Sequence, residues 1–268
     1  MSSAPAIDPL FRAGRLDEAI AAATEAVKAA PADIDRRGLL IELLCLAGEL
    51  ARADTQCDAL VRTAGERTVG STLLRQLVRA ELWRQEFHRD GRLPEMLEKP
   101  DARMTLRLRA SVAARAGDAA GAAALLAELE ATRNATAGSC DGAPFAEARD
   151  LDDLLNDSLE LLTSTGKFFL VPFARLQSIE LRAPERPRDL LWRRAAVEIA
   201  DGPSGEVYLP AIYAASYAPG DAALRLGRET DWLDAAGAVR GRGLRTWLVG
   251  DAAKTLLEMT QLQFAAAG

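Results

Sequence analysis

A stack of paired helices followed by a smaller α+β domain is the fold class that the sequence predicts, on three observations. Gly14 and Gly48 lie 34 positions apart with matching surroundings, Ala13-Gly14-x-Leu16-x-x-Ala19 against Ala47-Gly48-x-Leu50-x-x-Ala53. A third copy, Ala116-Gly117-Asp118 with Ala122, follows 69 positions later, close to twice that period. Self-similarity at this period marks tetratricopeptide-like helix pairs. Finally, after a small and polar stretch from Thr132 to Pro144, the pattern changes to short apolar runs such as Phe168-Phe-Leu-Val171. The predicted organisation is a tetratricopeptide-like α-helical domain over residues 1–135 and an α+β domain with a mixed or antiparallel sheet over 145–268.

The helical half is read element by element. Residues 7–13 form a short helix, and 16–30 a second with Leu16, Ala19, Ile20, Ala23 and Val27 on one stripe. Gly14 suits the turn between them because glycine adopts backbone angles that other residues avoid. Pro31 stops the second helix and Asp33 caps the third, which runs to about Ala47 and pairs with 49–63. Ala19 and Ala53 allow neighbouring helices to approach closely. Residues 71–89 make a further helix, and 102–116 with 118–132 the last pair. Gly138-Ser139 and Asp141-Gly142 then mark a linker.

In the second half a helix is expected near 150–165. Strands are expected at 167–171, 178–181, 195–200 and 207–209, followed by helical runs alternating with glycine-rich turns.

Composition limits the function. The net charge is −6, with 49% apolar and 27% charged residues, as in an ordinary globular protein. Residues 1–140 carry 19 basic and 20 acidic side chains and residues 141–268 carry 14 and 19, so neither half has the positive balance of a nucleic-acid binder. Cys45, Cys57 and Cys140 lack metal-ligand or redox spacing, and Cys45 lies in an apolar run that reads as core. Pro5, Asp8 and Pro9 interrupt the segment where a signal peptide would need an apolar run, and no stretch of about 18 apolar residues suggests a membrane span. A cytoplasmic protein with no membrane and no nucleic-acid partner is expected.

Few residues suggest chemistry. His88 is the only histidine and reads as an exposed residue in the polar stretch Arg84–Arg92, so a multi-histidine metal site is excluded. Asp150, Asp152, Asp153 and Asp157 could hold Mg²⁺ or act as paired acids, but charge placement at a helix start is the favoured reading. Gly237, Gly241 and Gly243 among Arg240, Arg242 and Arg245 lack the strand–loop–helix order of a phosphate cradle and read as a structural turn. Ser139-Cys140-Asp141 has no nearby base and reads as linker. No cofactor is expected. Arg75, Arg79 and Trp83 share a helix face, either as a solvated stripe or as one wall of a groove for an incoming helix, which Met104, Arg107, Leu108 and Ser111 would also line.

Across nearly its whole length the chain resembles the ImpE/SciE family, also called TagJ, of type VI secretion accessory components. In the helical half the likeness rests on Ala13-Gly14-Arg15-Leu16-Asp17-Glu18-Ala19 and Leu43-Leu44-Cys45-Leu46-Ala47-Gly48. In the second half it rests on Asp141-Gly142 with Phe145, on Phe168-Phe169-Leu170-Val171-Pro172-Phe173, and on Arg175. Arg188-Asp189-Leu190-Leu191-Trp192 and Gly241-x-Gly243-x-Arg245-Thr246-Trp247-Leu248 complete it. Two departures stand out: Asp150-Leu-Asp-Asp-Leu154 replaces the family's aspartate-rich signature, and Phe168-Phe169 replaces a tyrosine pair. The resemblance implies a non-enzymatic adaptor that binds the N-terminal helix of the small sheath subunit and is linked to the ClpV-type AAA+ unfoldase that recycles contracted sheath. The residues alone also admit a helical-repeat scaffold for another assembly, or an enzyme using the acidic cluster with a metal.

Overall fold

Helices form where apolar residues recur every three or four positions and end where glycine or a capping aspartate intervenes. In the computed structural model, residues 7–64, 69–217 and 221–265 are described; Pro5 lies outside them. The helical half contains α1 (Ile7–Arg12), α2 (Leu16–Ala29), α3 (Ile34–Leu46), α4 (Leu50–Ala64), α5 (Val69–Asp90), α6 (Ala102–Arg115) and α7 (Ala119–Ala131). Gly14, Gly48 and Gly117 hold φ of 78°, 77° and 75° at the turns closing α1–α2, α3–α4 and α6–α7. That left-handed region is open to glycine without penalty. Asp33 accepts from the backbone N–H groups of Asp35 and Arg36, capping α3 as expected. Ala19, Ala53 and Ala122 are fully buried at the helix contacts.

The second half contains β1 (Gly138–Cys140), β2 (Ala143–Phe145), β3 (Ala148–Asp150), β4 (Ser158–Leu162), β5 (Phe168–Pro172), β6 (Leu176–Leu181), β7 (Trp192–Ile199) and β8 (Ser204–Pro210). After the one-turn helix α8 (Ala222–Arg225) come β9 (Thr230–Ala235), β10 (Ala238–Gly243), β11 (Thr246–Val249), β12 (Ala252–Thr255) and β13 (Gln261–Phe264). Eight strands form one sheet in the order β2-β1-β13-β6-β7-β8-β4-β5; β12-β11-β3 form a second, and β9–β10 a hairpin. The ladders are antiparallel.

Three expectations fail, each for a physical reason. No helix occupies 150–165. The Asp150 and Asp152 carboxylates instead accept from the N–H groups of Asp152 (2.9 Å) and Leu154 (3.0 Å), local bonds that compete with a helix. The following run, Ser158–Leu162, is buried at every position and is strand β4, covered on both faces so that no alternation shows. The linker from Thr132 to Pro144 contains β1 and part of β2, because β1 pairs with β13 from the far end of the chain, Gly138 opposite Phe264. Beyond residue 221 the expected helical runs are strands apart from α8.

One apolar core spans both halves, and α3 lies at its centre. All residues from Leu40 to Leu46 are buried, Ile41 wholly so and Glu42 included. A helix apolar all round must be covered on every side. Helices α2 and α4 pack on α3, as does the turn Pro187–Leu190 of the sheet half, and the same core takes in Leu191, Trp192, Tyr208, Ile212, Tyr213 and Leu226.

Candidate partner-binding surface

The sheet half packs against the helical stack, and two of the repeat glycines, Gly14 and Gly48, are among the places where it docks. Tyr217 lies over Gly48, where a Cβ would approach its side chain to 2.6 Å. The Arg228 guanidinium sits over Gly14 and donates to the Phe11 carbonyl at 2.6 Å. Gly14 and Gly48 thus serve the turn and also admit the second half of the chain, whereas among the described residues nothing packs over Gly117.

Beneath these contacts lies a buried ionic network built from α5. Glu81, Arg84 and His88 recur at helical spacing, so they share one face. Glu81 accepts from Arg84 Nη1 and from Trp192 Nε1, each at 3.0 Å. Glu160 of β4 accepts from Arg84 Nε (3.0 Å), Arg245 Nη1 (2.9 Å) and His88 Nε2 (2.7 Å). Arg245 also donates to Asp150, whose oxygens further accept from Trp247 Nε1 (3.0 Å) and the Tyr213 hydroxyl (2.9 Å). Asp152 accepts from Arg240 Nε and the Gly241 N–H.

The electrostatics follow from this geometry. Burial alone would raise Glu160, but Arg84, His88 and Arg245 outweigh it and hold the carboxyl well below its usual range. Burial pushes His88 down, with Arg240 and Arg84 adding to the effect against Glu160. Arg240 Nη2 faces His88 Nδ1 at 3.3 Å, and an arginine can only donate; the neutral ring therefore carries its proton on Nε2, toward Glu160.

Two sequence readings are corrected here. His88 is largely buried and doubly partnered, not an exposed polar residue. The acidic cluster does not sit at a helix start: Asp150 and Asp152 join the network, Asp157 pairs with Arg103 and Arg107, and Asp153 accepts from the Val239 N–H. Gly237 closes the β9–β10 hairpin, whereas Gly241 and Gly243 lie inside β10, Gly241 against the Tyr213 ring and Gly243 against the Glu229 carbonyl. Cys140 ends β1 and is buried, and Cys45 is core as expected.

The residues expected to line one groove are divided between two environments. Arg75 is half-buried and pairs with Asp58 of α4 at 2.6 Å, and Arg79 is exposed. Trp83 is half-buried; its Nε1 donates to the Leu93 carbonyl (2.8 Å), and Arg92 lies 4.0 Å over its ring. Met104, Arg107 and Ser111 are buried instead, and Arg107 Nη1 donates to the Leu154 carbonyl of the sheet half at 2.7 Å. Met104 and Arg107 border only the small clefts, of about 140 and 60 Å³, where α6 meets the sheet half.

Leu108, half-buried at the edge of the same face of α6, lines a cleft of about 620 Å³ between the end of α5, the following loop, α6 and α7. Leu93, Val112 and Leu125 line it as well. Sequence reasoning missed these three. The signal available was the four-residue spacing of Val112 from Leu108, which was itself among the residues expected to line a groove. A second cleft, between α2 and α4, is bordered by Asp17, Glu25, Glu49 and Arg52, and its one cation is already paired with Glu49.

An antiparallel sheet domain locked onto a helical repeat by buried ion pairs defines the class: a repeat protein with a resident second domain. Its relatives are specific. The tetratricopeptide repeat family matches residues 10–77, and the ImpE protein family matches residues 142–263. The type VI secretion system accessory component TagJ of Pseudomonas aeruginosa is 33% identical over 262 residues, covering 96% of this chain and 90% of that protein. The crystal structure of protein VPA1032 from Vibrio parahaemolyticus superposes with a TM-score of 0.89 at 29% identity, covering 97% of both chains. The chain belongs to the ImpE family, as a homologue of a type VI secretion accessory component.

Proposed function

We propose that this chain is a non-enzymatic adaptor of type VI secretion. It binds the N-terminal helix of the small sheath subunit in the cytoplasm and acts with the ClpV-type unfoldase in sheath turnover. The observation that carries the reading is the engagement of the polar residues. The single histidine and Glu160 are committed to ion pairs that join the two halves, and Asp150 and Asp152 to pairs with Arg245 and Arg240 inside the sheet half, whereas two open clefts lie on the helical stack. Such an arrangement supports recognition of a partner in preference to acid–base chemistry. Among the described residues, no helix is long and apolar enough to cross a membrane. Of the residues expected at the partner surface, Arg75, Arg79, Trp83 and Leu108 remain in the proposal; Met104 and Arg107 serve the internal interface, and Ser111 is buried.

Titration of the full chain with a labelled peptide of the cognate sheath subunit's N-terminal segment tests the proposal. Saturable binding is expected, together with recovery of the sheath subunit in pull-downs from the host. A folded protein that shows no association at high peptide concentration refutes it.

A further inference from the structure

We infer that the cleft between α5, α6 and α7 is the docking site for a short amphipathic helix whose apolar stripe is flanked by carboxylates. The inference rests on the adaptor reading and adds to it the place and the chemistry of recognition. Leu93 and Val112 are 59% and 57% exposed, high values for branched aliphatic side chains that converge on one concavity. Isolated apolar residues on a surface need no explanation, but here Leu108 and Leu125 continue the same lining. Leu108 and Val112 lie one turn apart on α6, which provides a ridge against which the stripe of a second helix can pack.

Charge selects the flanks. Arg109 and Arg115 border the cleft, and neither has an ion-pair partner among the described residues; Arg115 Nη1 reaches only the Phe87 carbonyl, at 3.2 Å. The one carboxylate in the lining, Asp118, is committed to capping α7 through the Gly121 N–H (2.9 Å). Nearby Asp90 is tied to Arg89 at 2.7 Å. The rim is therefore cationic on a chain whose net charge is −6. A partner with acidic flanks gains from this rim, whereas a basic one is repelled. The cleft between α2 and α4, whose apolar lining is Ile20, Ala21 and Ala22, offers no free cation among the described residues, because Arg52 is paired with Glu49.

The test uses the full chain and the same labelled sheath-subunit peptide, with V112E, L93E, R109E and, as a control on α3 away from the cleft, I34E. All four positions are exposed, so the variants should melt with the unsubstituted protein. V112E and L93E are expected to weaken binding at least about tenfold, R109E by a smaller, salt-dependent factor, and I34E not at all. Binding that is unchanged in V112E and L93E overturns the cleft while leaving the adaptor reading intact. Absence of binding to the unsubstituted chain overturns both. Sedimentation that shows self-association abolished by V112E would assign the cleft to a second copy and likewise overturn the inference.

Discussion

Replacing Glu160 by glutamine probes the contact that joins the two halves. Glu160 and its partners Arg84 and Arg245 are wholly buried, and Glu160 accepts from Arg84, Arg245 and His88. Glutamine keeps the shape but offers one oxygen, so its amide N–H must face either an arginine or His88. His88 cannot relieve the clash by moving its proton to Nδ1, because Arg240 already points at that nitrogen. Breaking a buried pair costs about 3–5 kcal/mol. Each arginine retains another carboxylate, Glu81 for Arg84 and Asp150 for Arg245, which places the loss near about 3 kcal/mol. For a chain of this size that corresponds to a melting temperature lower by about 6–12 °C. Circular dichroism at neutral pH measures it, and both halves should melt together because they share a core. The sign with pH is also set. Glu160 is held below its ordinary value, so its contribution is present above about pH 4.3 and is lost as pH falls toward its folded value; the gap between E160Q and the unsubstituted protein should narrow in acid. Melting of E160Q within about 1 °C of the unsubstituted protein at neutral pH would refute the reasoning.

Two further perturbations address the same junction. Burial raises Glu42 to about 7; Arg188, with its guanidinium 3.9 Å away, and Arg186 offset this only in part. Stability from the protonated form is then full below the ordinary carboxyl value and is lost as pH rises through 7. Glu42→Gln should therefore stabilise by about 2 kcal/mol at pH 8 and much less at pH 5, read from denaturant midpoints; equal effects at both would show that the carboxyl is not shifted. Gly48→Ala and Gly117→Ala alter equivalent turns with φ of 77° and 75°, so both incur about 1–2 kcal/mol of backbone strain. Only the Gly48 methyl would meet Tyr217, so Gly48→Ala should be the more damaging by a further 1 kcal/mol or more, about the cost of overpacking. Equal losses in thermal melts would show that the sheet half does not pack on that turn.

Features that depend on short-range spacing were legible in the residues alone. The helices of the first half, the Asp33 cap and the burial of Ala19 and Ala53 follow from residues within a turn or a repeat of one another. The runs that became β5, β6, β7 and β8 were visible for the same reason. The motifs from Ala13 to Leu248 also carried the family, since they occur in order along the whole chain. Contacts with distant partners settled the remainder. Strand β1 exists because β13 lies beside it, and Asp150 and Asp152 leave the helix pattern because Arg245 and Arg240 arrive from about ninety positions away. His88 looked exposed in a stretch of charges, and Arg89, Asp90 and Arg92 are, but Arg84 turns inward to Glu160, and the low dielectric of the interior makes the pair strong and its loss costly. The expected groove failed on the same account. Met104 and Arg107 meet the sheet half and Ser111 is buried, and only the folded chain shows that α6 turns this side inward and leaves Val112 exposed beside a half-buried Leu108. Helical periodicity reports which residues share a face, whereas the neighbour that covers that face is chosen by contacts between residues far apart in the chain.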